Sequence, residues 1–367
     1  MYRLLFISYL FLLTACTERP IYIGFVGEIT GRHSTENVAA RNGIELAVDL
    51  INEQGGIHGK SIKLIIKNDK GDPELAQQVD TELINQGVVA IIGHMASQPT
   101  IAALPQINYS QTILFSPTVA RLAGQKDYFF RAAPSIQQEA KAFPHYLYHD
   151  LGIRELVGII DTNNRDYTEA LWGDIYQDFR KLGGEIKHSL YILHDDLKTF
   201  IAESGLDRLQ PEAIMFLSSA NDVALLAQFA RQQGIQSQFF APVSAHNQDL
   251  ILKGGRAVEN MQVLSIYNPN NPYHNFQLFS QQYQKRYRQN PSYGAAYGFE
   301  TVTILAHALR QTHGQSQGLP QALLGIKKLP AIQGNISIDA YGDIQRDLYI
   351  MQVKNGQFKL VHTVSGS

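Results

Sequence analysis

Residues 90 to 120 read AIIGHMASQPTIAALPQINYSQTILFSPTVA. Ala90 to Ile92 is an apolar run stopped by Gly93. His94 to Thr100 is small and polar, a helical stretch begins at Ile101, and a second apolar run, Thr112 to Phe115, closes at Ser116 and Pro117. The order is strand, loop, helix, strand, loop, so both loops fall at the carboxyl ends of neighbouring parallel strands. In an open α/β sheet this edge receives small ligands. Ser97 stands where a helix N-terminus presents backbone N–H groups to an anion. The stretch predicts half of a ligand cleft.

Upstream, the same unit repeats. Ile21 to Val26 reads as a buried strand, followed by a turn at Gly27 to Gly31. Asn37 to Gln54 carries Ile44, Ala47, Val48 and Ile51 at helical spacing and ends at Gly55 and Gly56. Ser61 to Ile66 is a second strand and Pro73 to Gln86 a second helix. Downstream of Arg131 to Pro134 a similar series begins. Its strands are Leu156 to Ile160, Ile186 to Leu193, Ala213 to Leu217 and Phe239 to Ala241, separated by helices over Tyr167 to Leu182, Asp195 to Leu209 and Val223 to Gln233. Beyond Met261 the pattern changes. NPNNP at 268–272 is irregular, helices follow over Phe276 to Arg288, Tyr293 to Thr312 and Leu319 to Ile326, and strands over Ile336 to Asp339, Leu348 to Lys354 and Gln357 to Thr363. Helices placed this late predict that the chain returns to its first lobe, crossing between lobes three times.

The 367 residues suit two lobes with separate cores, and 44% hydrophobic residues are enough to fill both. The net charge of −2 is spread without a basic stripe, which argues against nucleic acid as a partner. At the N-terminus, Arg3 precedes the apolar run Leu4 to Leu13, too short for a membrane span of about 20 residues but the length of a signal-peptide core. It ends in Leu13, Thr14, Ala15, Cys16, which resembles a bacterial lipobox. Cys16 is the only cysteine in the chain. Residues 1–15 are thus expected to be a lipoprotein signal peptide, with Cys16 acylated and the body in the periplasm, anchored to the inner or outer membrane. Thr17, rather than aspartate, points toward the outer membrane.

GFVGEITG, INEQGGIHGKSIKLIIKNDKGDP, VVAIIGHMAS, ILFSP, FFRAAPS, ARQQGI and YGDI together resemble the type I periplasmic binding proteins, in particular the branched-chain amino acid and amide receptors of ABC transporters. The resemblance runs from Ile21 to about Val361. It implies two doubly wound parallel-sheet lobes joined by three hinge strands, with lobe one formed by 16–133 and 267–333 and lobe two by 134–266 and 334–367. It implies no enzyme activity and no cofactor. In the family a serine after the third strand holds the ligand carboxylate, and this is Ser97. A hydroxyl after the SP motif helps hold the ammonium; that position falls on Ala120, with Thr118 as a neighbour. The family's lobe-two acid falls near Val243 and one lobe-two tyrosine near Ser219 or Ala220, while another tyrosine is matched by Tyr167. Glu36 aligns with a cleft position of lobe one.

With the acid missing, a buried ammonium would lack a counter-charge, at a cost of several kcal/mol, unless Glu36 supplies the missing negative charge from lobe one. The expected ligand is therefore a carboxylate, an amide or a mostly apolar molecule rather than a standard amino acid, with no opposing charge across from Ser97. The expected partner is an ABC permease; the alternative is a sensory or ligand-independent lipoprotein that regulates an envelope protein. His94 and His246 lack the companions of a metal site, and His94 reads as a satisfied loop histidine. No G-x-G-x-x-G, G-x-S-x-G, P-loop or H-E-x-x-H motif occurs. Trp172, the only tryptophan, is expected to sense movement of the lobes.

Overall fold

The computed structural model describes residues 19–30, 34–117, 125–162, 165–193 and 196–366. Thr118, Ala120 and Cys16 lie outside them. The chain opens with β1 (Ile21–Gly27), α1 (Ser34–Glu53), β2 (Ile62–Asn68), α2 (Pro73–Asn85), β3 (Ala90–Ile92), α3 (Ser97–Ser110), β4 (Ile113–Ser116) and β5 (Phe129–Arg131). These five strands form one parallel sheet in the order β2-β1-β3-β4-β5. Helix α3 begins at Ser97 rather than Ile101. Its N-cap, Ala96, has no side-chain oxygen, so Ser97 is the first helical residue and not the cap.

The second series is α4 (Ile136–His145), β6 (Glu155–Asp161), α5 (Arg165–Lys181), β7 (Glu185–Ile192), α6 (Leu197–Glu203), α7 (Leu206–Leu209), β8 (Ala213–Leu217), α8 (Ala220–Gln232), β9 (Gln238–Ala241), α9 (Gln248–Gly254) and β10 (Gln262–Ser265). The single helix expected over Asp195 to Leu209 is two, because Gly205 adopts a left-handed conformation (φ 71°) between them. The remaining elements are α10 (His274–Tyr287), α11 (Tyr293–Gln311), α12 (Leu319–Leu324), β11 (Leu329–Ala331), β12 (Gly334–Ile338), β13 (Ile344–Gln345), β14 (Leu348–Val353) and β15 (Phe358–Val364). The second sheet runs β15-β14-β10-β9-β8-β6-β7, parallel except where β14 and β15 join antiparallel. Strands β11 to β13 form a small antiparallel sheet of their own.

The first five strands of each series repeat one order, so each sheet reverses direction once, between β1 and β3 and between β6 and β8. Ligands of doubly wound sheets sit at such reversals, beyond the carboxyl ends of the strands. Because successive strand side chains point to opposite faces, each sheet has two cores. Ile91 and Leu114 pack against α2 and α3, whereas Phe25, Ile92 and Phe115 face a larger core containing Ile44 of α1 and Leu305 of α11. That larger core continues into the second lobe through Leu156, Ile160 and Met215. Trp172 belongs to it: it is 3% exposed, its Nε1 donates to Ser189 Oγ at 2.9 Å, and its ring lies against Gly158.

Helices α10 and α11 return to the first lobe. Tyr287 donates to the Asn42 carbonyl of α1 at 2.9 Å, and Arg286 pairs with Asp49. Three chain passages connect the sheets, and buried ion pairs tie them together. Arg131, at the end of β5, pairs with Asp343, with Nη2–Oδ2 at 2.7 Å. Arg346 holds Glu300 of α11 at 2.5 Å and donates to the Ala132 carbonyl at 3.3 Å. Asn268 and Gln333 exchange bonds of 2.9 and 3.0 Å.

Helices α1 and α11 approach so closely that a Cβ at Gly43 would lie 2.0 Å from the Ala295 carbonyl oxygen, a backbone atom that cannot move aside. Gly43→Ala is expected to force the helices apart and destabilise the protein by about 2 kcal/mol or more. A lowered midpoint in denaturant unfolding, with secondary structure retained in water, is the measurement that checks it.

Candidate functional site

A cleft of about 1080 Å³ opens at the reversal point of the first sheet. Glu28 enters it just past β1, Asp69 and Gly71 from the turn after β2, Met95 to Pro99 from the turn into α3, and Thr35, Glu36 and Asn37 from α1. Tyr293, at the start of α11, completes the first lobe's contribution. The second lobe supplies Asn247 and Asp249. The turns are fixed from within: Asn37 Oδ1 accepts Glu28 N–H at 2.9 Å, and Asn68 Oδ1 accepts Ile29 N–H at 3.2 Å.

Glu36 sits between two helix N-termini. It lies in the first turn of α1 and accepts bonds from Ser292 Oγ (2.7 Å) and Gly294 N–H (3.1 Å), which cap α11. Beside it Tyr293 is raised well above the ordinary phenol range, first by burial and then by the Glu36 charge. Ser97 and Gln98 form the first turn of α3, while Pro99 has no N–H to offer.

Under the turn lies His94, fully buried. Its Nδ1 bonds Asp69 Oδ2 at 2.7 Å and its Nε2 bonds Asp80 Oδ2, on α2, at 3.0 Å. Burial opposes the charged ring, but the hydrogen bonds and charges of the two aspartates outweigh it and hold the pKa up at about 9. The ring is an imidazolium at neutral pH. Asp69 Oδ1 also accepts Gly71 N–H at 2.9 Å, and Ser116 Oγ donates to the His94 carbonyl at 2.8 Å. The ring thus fastens α2 and the turn after β2, and the His94 carbonyl fastens β4, to the turn that carries Ser97. His246 is in the other lobe, its Nδ1 2.9 Å from Ser265 Oγ, and is unrelated to His94. Among the described residues no cluster of three His, Cys, Asp or Glu side chains has the makings of a metal site.

Of the residues singled out in the sequence, Glu36 and Ser97 are brought together in this cleft. Ser219 is the N-cap of α8, its Oγ 2.9 Å from Asp222 Oδ2. Val243 begins a half-buried 3-10 turn after β9, and Tyr167 donates its hydroxyl to Glu139 at 2.8 Å. These three stand at the carboxyl edge of the second sheet, apart from the residues that line the cleft. One expectation fails: Asp249 of the second lobe faces the same cleft as Ser97, so a counter-charge is present. Among the described residues that line it, four are carboxylates (Glu28, Glu36, Asp69 and Asp249) and none is Lys, Arg or His. Asn247 and Asp249 escaped the sequence reading although Asn247 carries an N-cap signature, its Oδ1 accepting Asp249 N–H at 2.9 Å. Trp172, deep inside the second lobe, is also no lining residue, so it is not placed to sense closure.

Two lobes of this topology with a cleft between them define a class of binding protein, and sequence comparison agrees. The periplasmic binding protein family model matches residues 20–357, and the chain belongs to that family. It is 24% identical to the Leu/Ile/Val-binding protein homolog 1 of Brucella suis over 353 residues, covering 90% of this chain and 89% of that protein. An ABC transporter substrate-binding protein from Desulfitobacterium hafniense, solved in complex with Leu, superposes with a TM-score of 0.81 at 24% identity, covering 94% of this chain and 100% of the other. The solute-binding protein of an ABC transporter from Rhodopseudomonas palustris BisB5, in complex with 3,4-dihydroxybenzoic acid, gives 0.76 at 20% identity, covering 95% and 98%. The fold is that of the type I periplasmic binding proteins.

A buried imidazolium makes stability depend on pH in a defined direction. Since the folded value lies above the ordinary 6.5, the stabilisation is complete below pH 6.5 and disappears as pH rises through about 9. The shift corresponds to roughly 3 kcal/mol. Denaturant unfolding at pH 6.5 and 9.5 is expected to show this loss in the wild type and a much smaller one in His94→Gln.

Proposed function

We propose that this protein is an extracytoplasmic solute receptor that closes its two lobes over a small molecule bearing a positively charged nitrogen and presents it to an ABC permease. The observation that carries the reading is the cleft, lined from both lobes, with four carboxylates and no basic side chain among the described residues. Such a lining concentrates cations and repels free anions. The first turn of α3, at Ser97 and Gln98, suits the carboxylate of a ligand that also carries an amine, through the positive end of the helix dipole. The solved relatives hold Leu in one case and 3,4-dihydroxybenzoic acid in another; the acidic lining favours the amine-bearing kind here.

The lobes in this reading are 16–133 with 267–333 and 134–266 with 334–367; the two large sheets fall on opposite sides of this division, and the small β11–β13 sheet straddles it. Thr118 and Ala120 belong to the same reading as neighbours of the ligand after Pro117. In this reading acylation at Cys16 tethers the receptor to the membrane. Replacing Cys16 by Ser is expected to shift the protein from the membrane to the soluble periplasmic fraction, read by fractionation.

Thermal unfolding of the purified protein is to be followed with branched-chain amino acids, alkylamines and the des-amino acids of the same skeletons. Amine-bearing solutes are expected to raise the midpoint, by an amount equivalent to about 2.7 kcal/mol at a hundred times Kd. Asp249→Asn is expected to weaken them about threefold, as befits an exposed charge. Stabilisation by des-amino acids alone would overturn the reading.

A further inference from the structure

Away from the interlobe cleft, three helices of the first lobe leave a space between them. This groove, of about 360 Å³, lies between α1, α10 and α11 and is closed on a fourth side by β11. Each helix turns one stripe of side chains into it. From α1 come Ala47, Ile51 and Gln54, and from α10 come Asn275, Leu278 and Gln282, spaced at one and two turns so that each set shares a helix face. Helix α11 adds Phe299, Ala306 and Arg310. Phe279 and Phe299, with ring centroids 4.7 Å apart, form an apolar wall, while Leu278 is left 44% exposed.

The stripes have a direction. Helix α11 runs parallel to α1, since the backbone of Glu36 meets Gly294 and that of Ala40 meets Gly298. Helix α10 runs the other way: its last turn reaches Asn42 and Asp49 through Tyr287 and Arg286, and its first turn meets β11, where Asn275 Nδ2 donates to the Ala331 carbonyl at 3.4 Å. Gln54, Asn275 and Arg310 therefore fall at the same end of the groove, with Ile51, Leu278 and Ala306 one turn further in. Among the described residues that line it, Arg310 is the only charged one, and no described acid pairs with its guanidinium. The dipole of α11 favours a cation in its last turn. That accounts for the arginine but not for the apolar stripe left open beside it.

Small-molecule sites occupy about 300–1,000 Å³ and combine apolar walls with a few convergent polar groups. This groove meets both conditions, and its polarity is opposite to that of the acidic cleft. A guanidinium pairs with a carboxylate, side-chain amides can donate to the same oxygens, and the apolar stripes take a hydrocarbon tail out of water. We propose that the groove is a second binding site, for a single-chain amphipathic carboxylate of the medium-chain fatty acid class, its tail between the three helices and its carboxylate at Arg310. The site lies outside the interlobe cleft and does not rest on the receptor reading above.

Calorimetric titration of the mature protein with octanoate, n-octanol and octylamine at pH 7 tests this. Octanoate is expected to bind with one-to-one stoichiometry and octylamine about tenfold more weakly, because its ammonium meets a like charge. Arg310→Gln is expected to weaken octanoate about fivefold, the upper end for an exposed ion pair, and to leave n-octanol unchanged. Leu278→Asp, at a position exposed enough to spare the fold, is expected to abolish binding of both, whereas Asp249→Asn, in the interlobe cleft, leaves octanoate unchanged. Absence of octanoate binding at millimolar concentration, binding of octylamine as tight as that of octanoate, or survival of octanoate binding in Leu278→Asp each overturns the proposal. A dimer in sedimentation that Leu278→Asp disperses would show the groove to be covered by a second copy of the chain and overturns it as well. Each of these outcomes leaves the receptor reading standing.

Discussion

The cation at His94, gripped by Asp69 and Asp80, is the interaction on which the candidate site depends. Three charges so deeply buried are tolerable only because each nitrogen of the ring meets a carboxylate. Their net charge is negative, and Asp69 faces the cleft, so the anchor also contributes to the acidic lining above it. Removing the ring would leave two aspartates buried against each other, which is why this loop histidine is less replaceable than an ordinary cap. The same bonds fix the direction from which α3 enters the cleft, and so the position of Ser97.

Much of the architecture was legible because the β/α units are bounded by glycines and their apolar periods are clean. The elements that were missed lack those signals. β5 is three residues long and shows no periodicity. β10 is a central strand that begins and ends with buried polar groups, Gln262 and Ser265; Gln262 is buried because Tyr146 bonds it at 2.8 Å. The pattern of α4 is broken by Pro144 and by an acid on its inward side, the same Glu139 that faces Tyr167.

The site was legible in part for a related reason. Glu36 and Ser97 follow strands of the first sheet, and a loop at a carboxyl edge can be recognised from the strand before it. The triad could not be found this way. Asp69, Asp80 and His94 are separated by 11 and 14 positions along the chain and belong to a turn, a helix and another turn, so only the packed fold unites them. Asp249 and Tyr293 reach the cleft from elements far along the chain, and no local pattern marks them as its neighbours. Reading the second lobe by alignment at Val243 alone concealed that acids stand there at other positions.

Trp172 gives the molecule an intrinsic label of unusual selectivity. The first lobe, with α10 and α11 returned to it, is rich in tyrosine and phenylalanine but has no indole at all. Near-ultraviolet excitation at the red edge of absorption therefore illuminates only the second lobe's interior, where the ring is wedged against Gly158 and tethered to Ser189. Emission from this chain follows the integrity of one half of the fold. Comparing it with whole-chain ellipticity distinguishes lobes that come apart together from lobes that melt one after the other.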